Sequence, residues 1–476
     1  MALSPPPLIF EEHCTVLAEW RRRDIRGKTL VYLDAHLDLQ RVNQTRMQRL
    51  RSAPSPEAFA ALEKPDHLLP DRDYVYGLEN FLYPANQLGI VSRLVWVRPP
   101  HVRVEHSRQV LSYAQQMDGV TFDELCAFRK SAAGCYEGTL LGLPLTICTF
   151  EELPLLEIPP GSLLDIDTDY FLALPEDRIW IQPPAVVAAL RRSVVDPVCA
   201  SIARSVGSGF LPLRYRYIAD WIGALWTDDA ASATHFANVF RADGALRSGA
   251  PADAARALQA ELSTFPNCPA THHLLALTAT DAAGSMRATQ AAALDAGYRH
   301  DPARLASETA NRHLATPLDA LETLWAELTQ LGASAPRNAF VALGLAYAER
   351  GDAQRALECY RRYEGAHPAL ALAVAALLSE PEQRALRKFL LGVAVAEDAS
   401  ATSAHMQLAE IAIEDADYRA ARTHFEFARR NAPAWLEPLD ALSRLHGLSG
   451  RDGVNRYALE LEDRIRKLSR VMSEQS

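Results

Sequence analysis

The chain has 476 residues, of which 49% are hydrophobic and 23% charged. That is too long for one ordinary core and reads as two or three globular domains. Its formal net charge of −10 excludes a basic nucleic-acid-binding surface. No apolar run reaches the roughly 18–20 residues of a spanning helix.

The N-terminus, Met-Ala-Leu-Ser-Pro-Pro-Pro-Leu-Ile-Phe, has no basic segment followed by a long apolar one, so no secretory signal is expected. Seven scattered cysteines without a Cys-x-x-Cys suit free thiols in a reducing cytoplasm. A cytoplasmic protein with no membrane partner follows from these features. An amphipathic helix is predicted over Cys14–Arg23. Apolar, β-prone runs then recur at Leu30–Leu33, Arg93–Val97, Leu145–Phe150, Ser162–Ile166 and Val198–Ala203, separated by helical or proline-punctuated segments. That alternation predicts an α/β domain with a mainly parallel sheet over residues 1–228.

The run at Leu30–Leu33 leads into Asp34, His36 and Asp38, and the run at Ser162–Ile166 carries Asp165 and leads into Asp167 and Asp169. Residues i, i+2 and i+4 of an extended chain share a face. Each cluster therefore aims three ionisable groups at one place beyond a strand's carboxyl end, where parallel sheets bind ligands. Five converging carboxylates repel one another unless cations neutralise them. Calcium prefers all-oxygen shells, and zinc is more usually accompanied by thiolate. A carboxylate-rich set with imidazole suits manganese best. If two ions are bound, His13, in Ile-Phe-Glu-Glu-His-Cys, supplies the missing sixth ligand.

From about residue 230 alanine and leucine dominate and strand signals vanish. Pro266, Pro302, Pro336, Pro368 and Pro433 recur near predicted helix ends, close to multiples of about 34 residues, the period of a tetratricopeptide-type solenoid. The clearest copy has Phe340, Leu343, Gly344, Tyr347, Ala356, Tyr360 and Pro368; a second aligns Leu408, Ala409, Ala412, Ala421, Phe425, Ala428 and Pro433. An all-α helical-repeat domain is expected over residues 229–476. Its groove suits an extended peptide, and self-association into a homo-oligomer or simple support of the first domain is the alternative use.

Asp-Ala-His-x-Asp at Asp34–Asp38 with the later Asp-Ile-Asp-Thr-Asp-Tyr-Phe at Asp165–Phe171 resembles the arginase, or ureohydrolase, superfamily. Glu11–His13, Asn80–Ala85 and Ile202–Phe210 are similar to segments of its peptide-arginase branch. The resemblance covers roughly residues 8–225. It implies a three-layer α/β fold and two manganese ions. His13, Asp34, Asp38 and Asp165 would hold one ion, and Asp34, His36, Asp165 and Asp167 the other, with Asp34 and Asp165 bridging. It further implies hydrolysis of the arginine guanidinium to ornithine and urea by a water shared between the ions and delivered as hydroxide. Asp169 either orients a histidine, faces the guanidinium or caps the following turn. Glu79, Asn80, Ser205 and Gly209 are placed to line the pocket, and His101 and His106 are candidate proton shuttles by position.

The helical repeats turn the expected substrate from free arginine to a peptide. Two other readings compete: a metal-dependent deacetylase of the same fold, and a non-catalytic helical scaffold.

Overall fold

The computed structural model describes residues 6–70, 72–102, 114–174, 177–279, 282–312, 316–397, 401–448 and 454–473. His106 lies outside them. The strands are β1 (Leu8–Phe10), β2 (Lys28–Leu33), β3 (Val91–Val97), β4 (Arg129–Lys130), β5 (Tyr136–Leu140), β6 (Leu143–Cys148), β7 (Leu163–Asp167), β8 (Leu172–Ala173), β9 (Arg178–Ile179) and β10 (Cys199–Ala203). One eight-stranded sheet runs in the order β1-β10-β7-β2-β3-β6-β5-β4, while β8 and β9 form a separate small hairpin. The pairs from β1 to β6 are parallel; the β6–β5 and β5–β4 pairs at one edge are antiparallel. The α/β expectation holds, and all five apolar runs are strands.

Alternation along the central strands builds two cores. Leu30, Tyr32, Leu94, Trp96, Leu163 and Cys199 face a layer containing Trp20 and Phe81. Val31, Leu33, Val95, Leu164, Ile166 and Ile202 face the other way, against Val186, Leu190, Ile218 and Trp221. Burial on both faces explains why these strands read as continuous apolar runs. The predicted Cys14–Arg23 helix begins as a 3-10 turn, His13–Thr15, and continues as the helix Val16–Arg22. β1 had no sequence signal beyond three apolar residues after the prolines. It forms because β10 offers a parallel edge, pairing Leu8 with Ser201 and Phe10 with Ala203.

Beyond Trp226 every regular element among the described residues is helical. Pro302 and Pro368 open helices at Pro302–Asn311 and Pro368–Leu377, where a missing N–H costs nothing. Neighbouring helices such as Arg337–Glu349 and Ala353–Tyr363 pack as pairs. Gly344 is required there, because a Cβ would stand 2.7 Å from Leu370 Cδ1 and 2.9 Å from Cys359 Cβ.

The helical region grips the sheet region at several places. Leu68 enters the core formed by Leu343 and Leu370, and its carbonyl accepts from His367 Nε2 at 2.6 Å. Gly119 N donates to Asn431 O at 2.7 Å, and Ala434 N to Val120 O at 3.2 Å. Arg216 bridges Glu11 and Asp295 at 2.6 and 2.8 Å. Gly209, at φ +81°, lies so close to the Pro302–Asn311 helix that a Cβ would approach Glu308 N to 2.3 Å. Gly209→Ala therefore combines a left-handed strain of about 1 kcal/mol with a backbone clash. It should lower thermal stability by more than about 2 kcal/mol, measured by calorimetry against wild type. An unchanged melting temperature would refute this close contact.

Candidate metal centre

Four adjacent parallel strands deliver the candidate ligands at their carboxyl ends. β1 leads through Glu11 and Glu12 to His13, β2 runs into Asp34, β7 holds Asp165 and Asp167, and β10 leads to Ser205. Register decides which groups meet. Tyr32 pairs with Asp165 and Leu33 with Ile166, so the next step brings Asp34 level with Asp167. On the other side Ser201 pairs with Asp165 and Ala203 with Asp167. Asp165 thus stands two residues back from the edge, between Tyr32 and Ser201.

The side chains interlock around Asp34. His13 Nδ1 lies 3.1 Å from Asp34 Oδ2 and 3.4 Å from Asp167 Oδ2, while its Nε2 lies 3.4 Å from Asp38 Oδ2. On the other side of Asp34, His36 Nδ1 is 3.5 Å from Asp34 Oδ1 and 2.9 Å from Asp169 Oδ2. Two groups have donor atoms all within 4.8 Å of one another, as metal ligands must: His13, Asp34 and Asp38, and Asp34, His36 and Asp169. Buried His/Asp groups able to hold a metal ion are therefore present, and Asp34 is common to both.

The family resemblance, not the spacing, named Asp165 and Asp167 as ligands. In the folded chain Asp167 faces His13 and Asp169 faces His36, because the 3-10 turn Thr168–Phe171 bends Asp169 back over the strand end. Asp165 Oδ1 accepts from Ser201 Oγ at 2.5 Å, and its buried Oδ2 has no hydrogen-bond partner.

Several residues not singled out from sequence hold this arrangement. The Tyr32 hydroxyl lies within hydrogen-bond reach of the Asp34 and Asp38 carboxylates, its one proton going to either, and 3.0 Å from His13 Nδ1. Its i, i+2 spacing from Asp34, on the same strand face, was the available signal. Phe81 packs against the His13 ring at 4.8 Å, and Glu63 accepts from Thr15 Oγ1 at 2.6 Å, securing the turn that carries His13. Trp96 Nε1 donates to Asp34 O at 3.0 Å. Asp38 and Ser205 adopt left-handed φ values of 44° and 45°, a local strain of the kind found at binding sites.

The remaining candidates divide. Ser205 Oγ donates to Asp167 Oδ2 at 2.7 Å, within the cluster. Asn80 Oδ1 accepts from Gly77 N at 3.0 Å and so serves its own turn, while Glu79 accepts from the buried Lys64 at 2.8 Å. Gly209 is pressed against the helix Pro302–Asn311, and its neighbour Phe210 stands beside the His36 ring at 4.8 Å. His101 follows β3 at an exposed position. His36 is the accessible member of the cluster, its side chain 46% exposed against 4% for His13. The entrance is therefore on the His36 side, rimmed by Phe210 and by His67, whose ring lies 5.7 Å from Phe210.

Electrostatics make this a site under tension. Burial and the neighbouring Asp34 charge push Asp38 up to about 7, and burial, with a smaller push from Asp34, drives Asp165 to about 7. Burial, then the charge of Asp169, raises Asp167 well above the usual carboxylate range. Asp34 goes the other way: burial opposes its ionisation, but hydrogen bonds from His13 and His36 prevail. Both histidines are raised, burial being outweighed by the surrounding carboxylates. No family model matches the sequence, and no curated protein matches it.

The cation-free site thus retains protons that the unfolded chain releases. Raised folded-state pKa values contribute stability at low pH that is lost as pH rises through them, and only Asp34 acts in the opposite sense. The chelated protein should therefore lose thermal stability between about pH 6 and about pH 8, and a divalent cation should restore most of it at the upper end. Thermal scans with EDTA and with manganese across that range test this. A chelated protein that grows more stable over the same interval would contradict it.

Proposed function

We propose that this chain is a manganese-dependent hydrolase that converts arginine side chains of a peptide to ornithine, releasing urea. The observation that carries this reading is the pair of ligand groups sharing Asp34. If two cations bind, His13, Asp34 and Asp38 would hold one and Asp34, His36 and Asp169 the other. The donors fit the group: hard carboxylates with imidazole suit manganese, and the partnerless Asp165 Oδ2 is an oxygen that nearby positive charge would stabilise. Two bound cations would supply an activated water and charge stabilisation at the reacting carbon.

The chain's own residues account for the other needs of guanidinium hydrolysis. Asp169, hydrogen-bonded along one edge by Ala35 N at 3.3 Å, is positioned beside His36 to orient it and to face a cationic substrate. The Phe210 ring at the entrance offers an aromatic face to a planar guanidinium. His67, held below its ordinary pKa by burial, stands beside Phe210 at the same rim, where it would exchange protons with bound water.

A peptide substrate is supported by the surroundings of that rim. A cavity of about 540 Å³ lies between the segment carrying Asp66, Leu69 and Tyr74 and the helical residues Arg337, Asn338 and Tyr363. Asp66, which lines it, precedes His67 in the chain, and the cavity would have room for residues flanking the target arginine. The helical region, tetratricopeptide-like in pattern, would then form one wall of the substrate channel. Part of its core already receives Leu68 from its own chain.

Mass spectrometry of arginine-containing peptides incubated with the manganese-loaded protein tests the reading directly. Ornithine and equimolar urea are the expected products, and Asp34→Ala should remove cation binding and at least about a thousandfold of the rate. Asp169→Asn should weaken cation binding. Absence of bound metal would overturn the hydrolase. Acetate release from acetyl-lysine peptides without urea would replace it with an amide hydrolase.

A further inference from the structure

The antiparallel edge of the sheet carries two thiols that the carboxylate site does not use. β5 and β6 pair with Tyr136 opposite Ile147 and Glu137 opposite Thr146. One step back from β5, the same register sets Cys135 opposite Cys148, the last residue of β6. The chain has no second such pair of cysteines. Cys199 stands opposite Leu163, and Cys14, Cys126, Cys268 and Cys359 lie on or beside helices. Cys135 and Cys148 also belong to one core layer, as residues directly opposed on one sheet face must.

Backbone hydrogen bonds fix how close the two come. Cys135 O accepts from Ser131 N at 2.7 Å, so its backbone faces the β4 side. Cys148 O accepts from Arg98 N at 3.0 Å, so its backbone faces the β3 side. The two residues thus turn their peptide groups away from each other and form a non-hydrogen-bonded pair. Such pairs bring their Cα atoms to about 4.5 Å, with the side chains at their closest. That separation lies within the range of about 4.4–6.8 Å that a disulfide spans. The thiols are 0% and 1% exposed, so a reagent reaches them only when the edge opens. β4 is two residues long, and the turn between it and Cys135 carries the exposed Ala132. Fraying of that short hairpin uncovers Cys135, while β6 stays paired with β3.

We propose that Cys135 and Cys148 are an oxidation site, at which a small-molecule disulfide converts the two thiols into a cross-strand disulfide. The Cys135 thiolate attacks one sulfur of the oxidant, breaking its sulfur–sulfur bond and expelling a first thiolate. The Cys148 thiolate then attacks the Cys135 sulfur of this mixed disulfide and expels the second. The two thiol protons pass to the two departing thiolates. Two electrons leave the protein and reduce the oxidant. Position sets the order, because Cys135 borders the turn that opens and Cys148 lies between β3 and β5. Ionisation runs the same way: contact with Cys148 holds the Cys135 thiol below its ordinary value, and contact with Cys135 pushes Cys148 up. The product staples the edge hairpin to β6 and leaves the carboxylate cluster untouched.

The test incubates the reduced full-length protein with oxidised glutathione near pH 8, then quenches with acid. Remaining thiols are alkylated in denaturant, and disulfides are mapped by mass spectrometry. The expected product links Cys135 to Cys148, with glutathione retained on neither. Cys14, Cys126, Cys199 and Cys359 should remain open to alkylation. Cys148→Ala should stop the reaction at a glutathione adduct on Cys135, and Cys135→Ala should slow modification of Cys148 at least about tenfold. The oxidised protein should melt at least about 3 °C above the reduced one, since the bond restricts the unfolded chain. Thiols that stay reduced would overturn the proposal, as would a persistent glutathione adduct on either wild-type residue. Pairing with another cysteine, or a melting temperature that does not rise, would do the same. Should a variant fail to fold, the wild-type peptide map and melting temperature decide alone.

Discussion

The arrangement of this molecule depends on the parallel register of β1, β10, β7 and β2, which stacks their carboxyl ends and forces four carboxylates and two imidazoles together. Two unit charges about 4 Å apart cost on the order of 4 kcal/mol even at a moderate effective dielectric. Asp34, Asp38, Asp167 and Asp169 cannot all be ionised there without compensation. The fold supplies part of it through His13, His36, the Tyr32 hydroxyl and the Ser205 hydroxyl. Protons or cations must supply the rest, and this links the chemistry of the site to the stability of the sheet.

The helical region matters to that site because it braces the loops that carry it. Arg216 ties Glu11, two residues before His13, to Asp295. Asn311 donates to Ser208 O at 3.1 Å, and Gly209 meets the same helix, so the loop that holds Ser205 and Phe210 is pinned from behind. Leu68 is anchored beside His67 at the entrance. The helices therefore act on the site through backbone placement. Part of the helical region is engaged with its own chain: Leu68 packs into its core, and Gly119 and Val120 hydrogen-bond Asn431 and Ala434.

Much of the sheet was legible because buried parallel strands write themselves as apolar runs, as at Leu30–Leu33 and Arg93–Val97. β1 and the antiparallel hairpin of β4 and β5 were not, since Leu8–Phe10 and Tyr136–Leu140 are strands only by virtue of the edges beside them. The acidic clusters announced a candidate site through their i, i+2, i+4 spacing. Spacing alone treats Asp165, Asp167 and Asp169 as equivalent. Pairing of Tyr32 with Asp165 and the 3-10 turn after Asp167 make them different: one is set back against Ser201, one faces His13 and one faces His36.

The amino-acid sequence by itself determined the alternating α/β half, the helical half and the concentration of aspartate and histidine at strand ends, because these are matters of local periodicity and composition. Only the tertiary structure decided which carboxylate meets which histidine and which side of the cluster opens to solvent. Those pairings join residues far apart in the chain, and their geometry is set by strand register and helix packing, which no local pattern encodes.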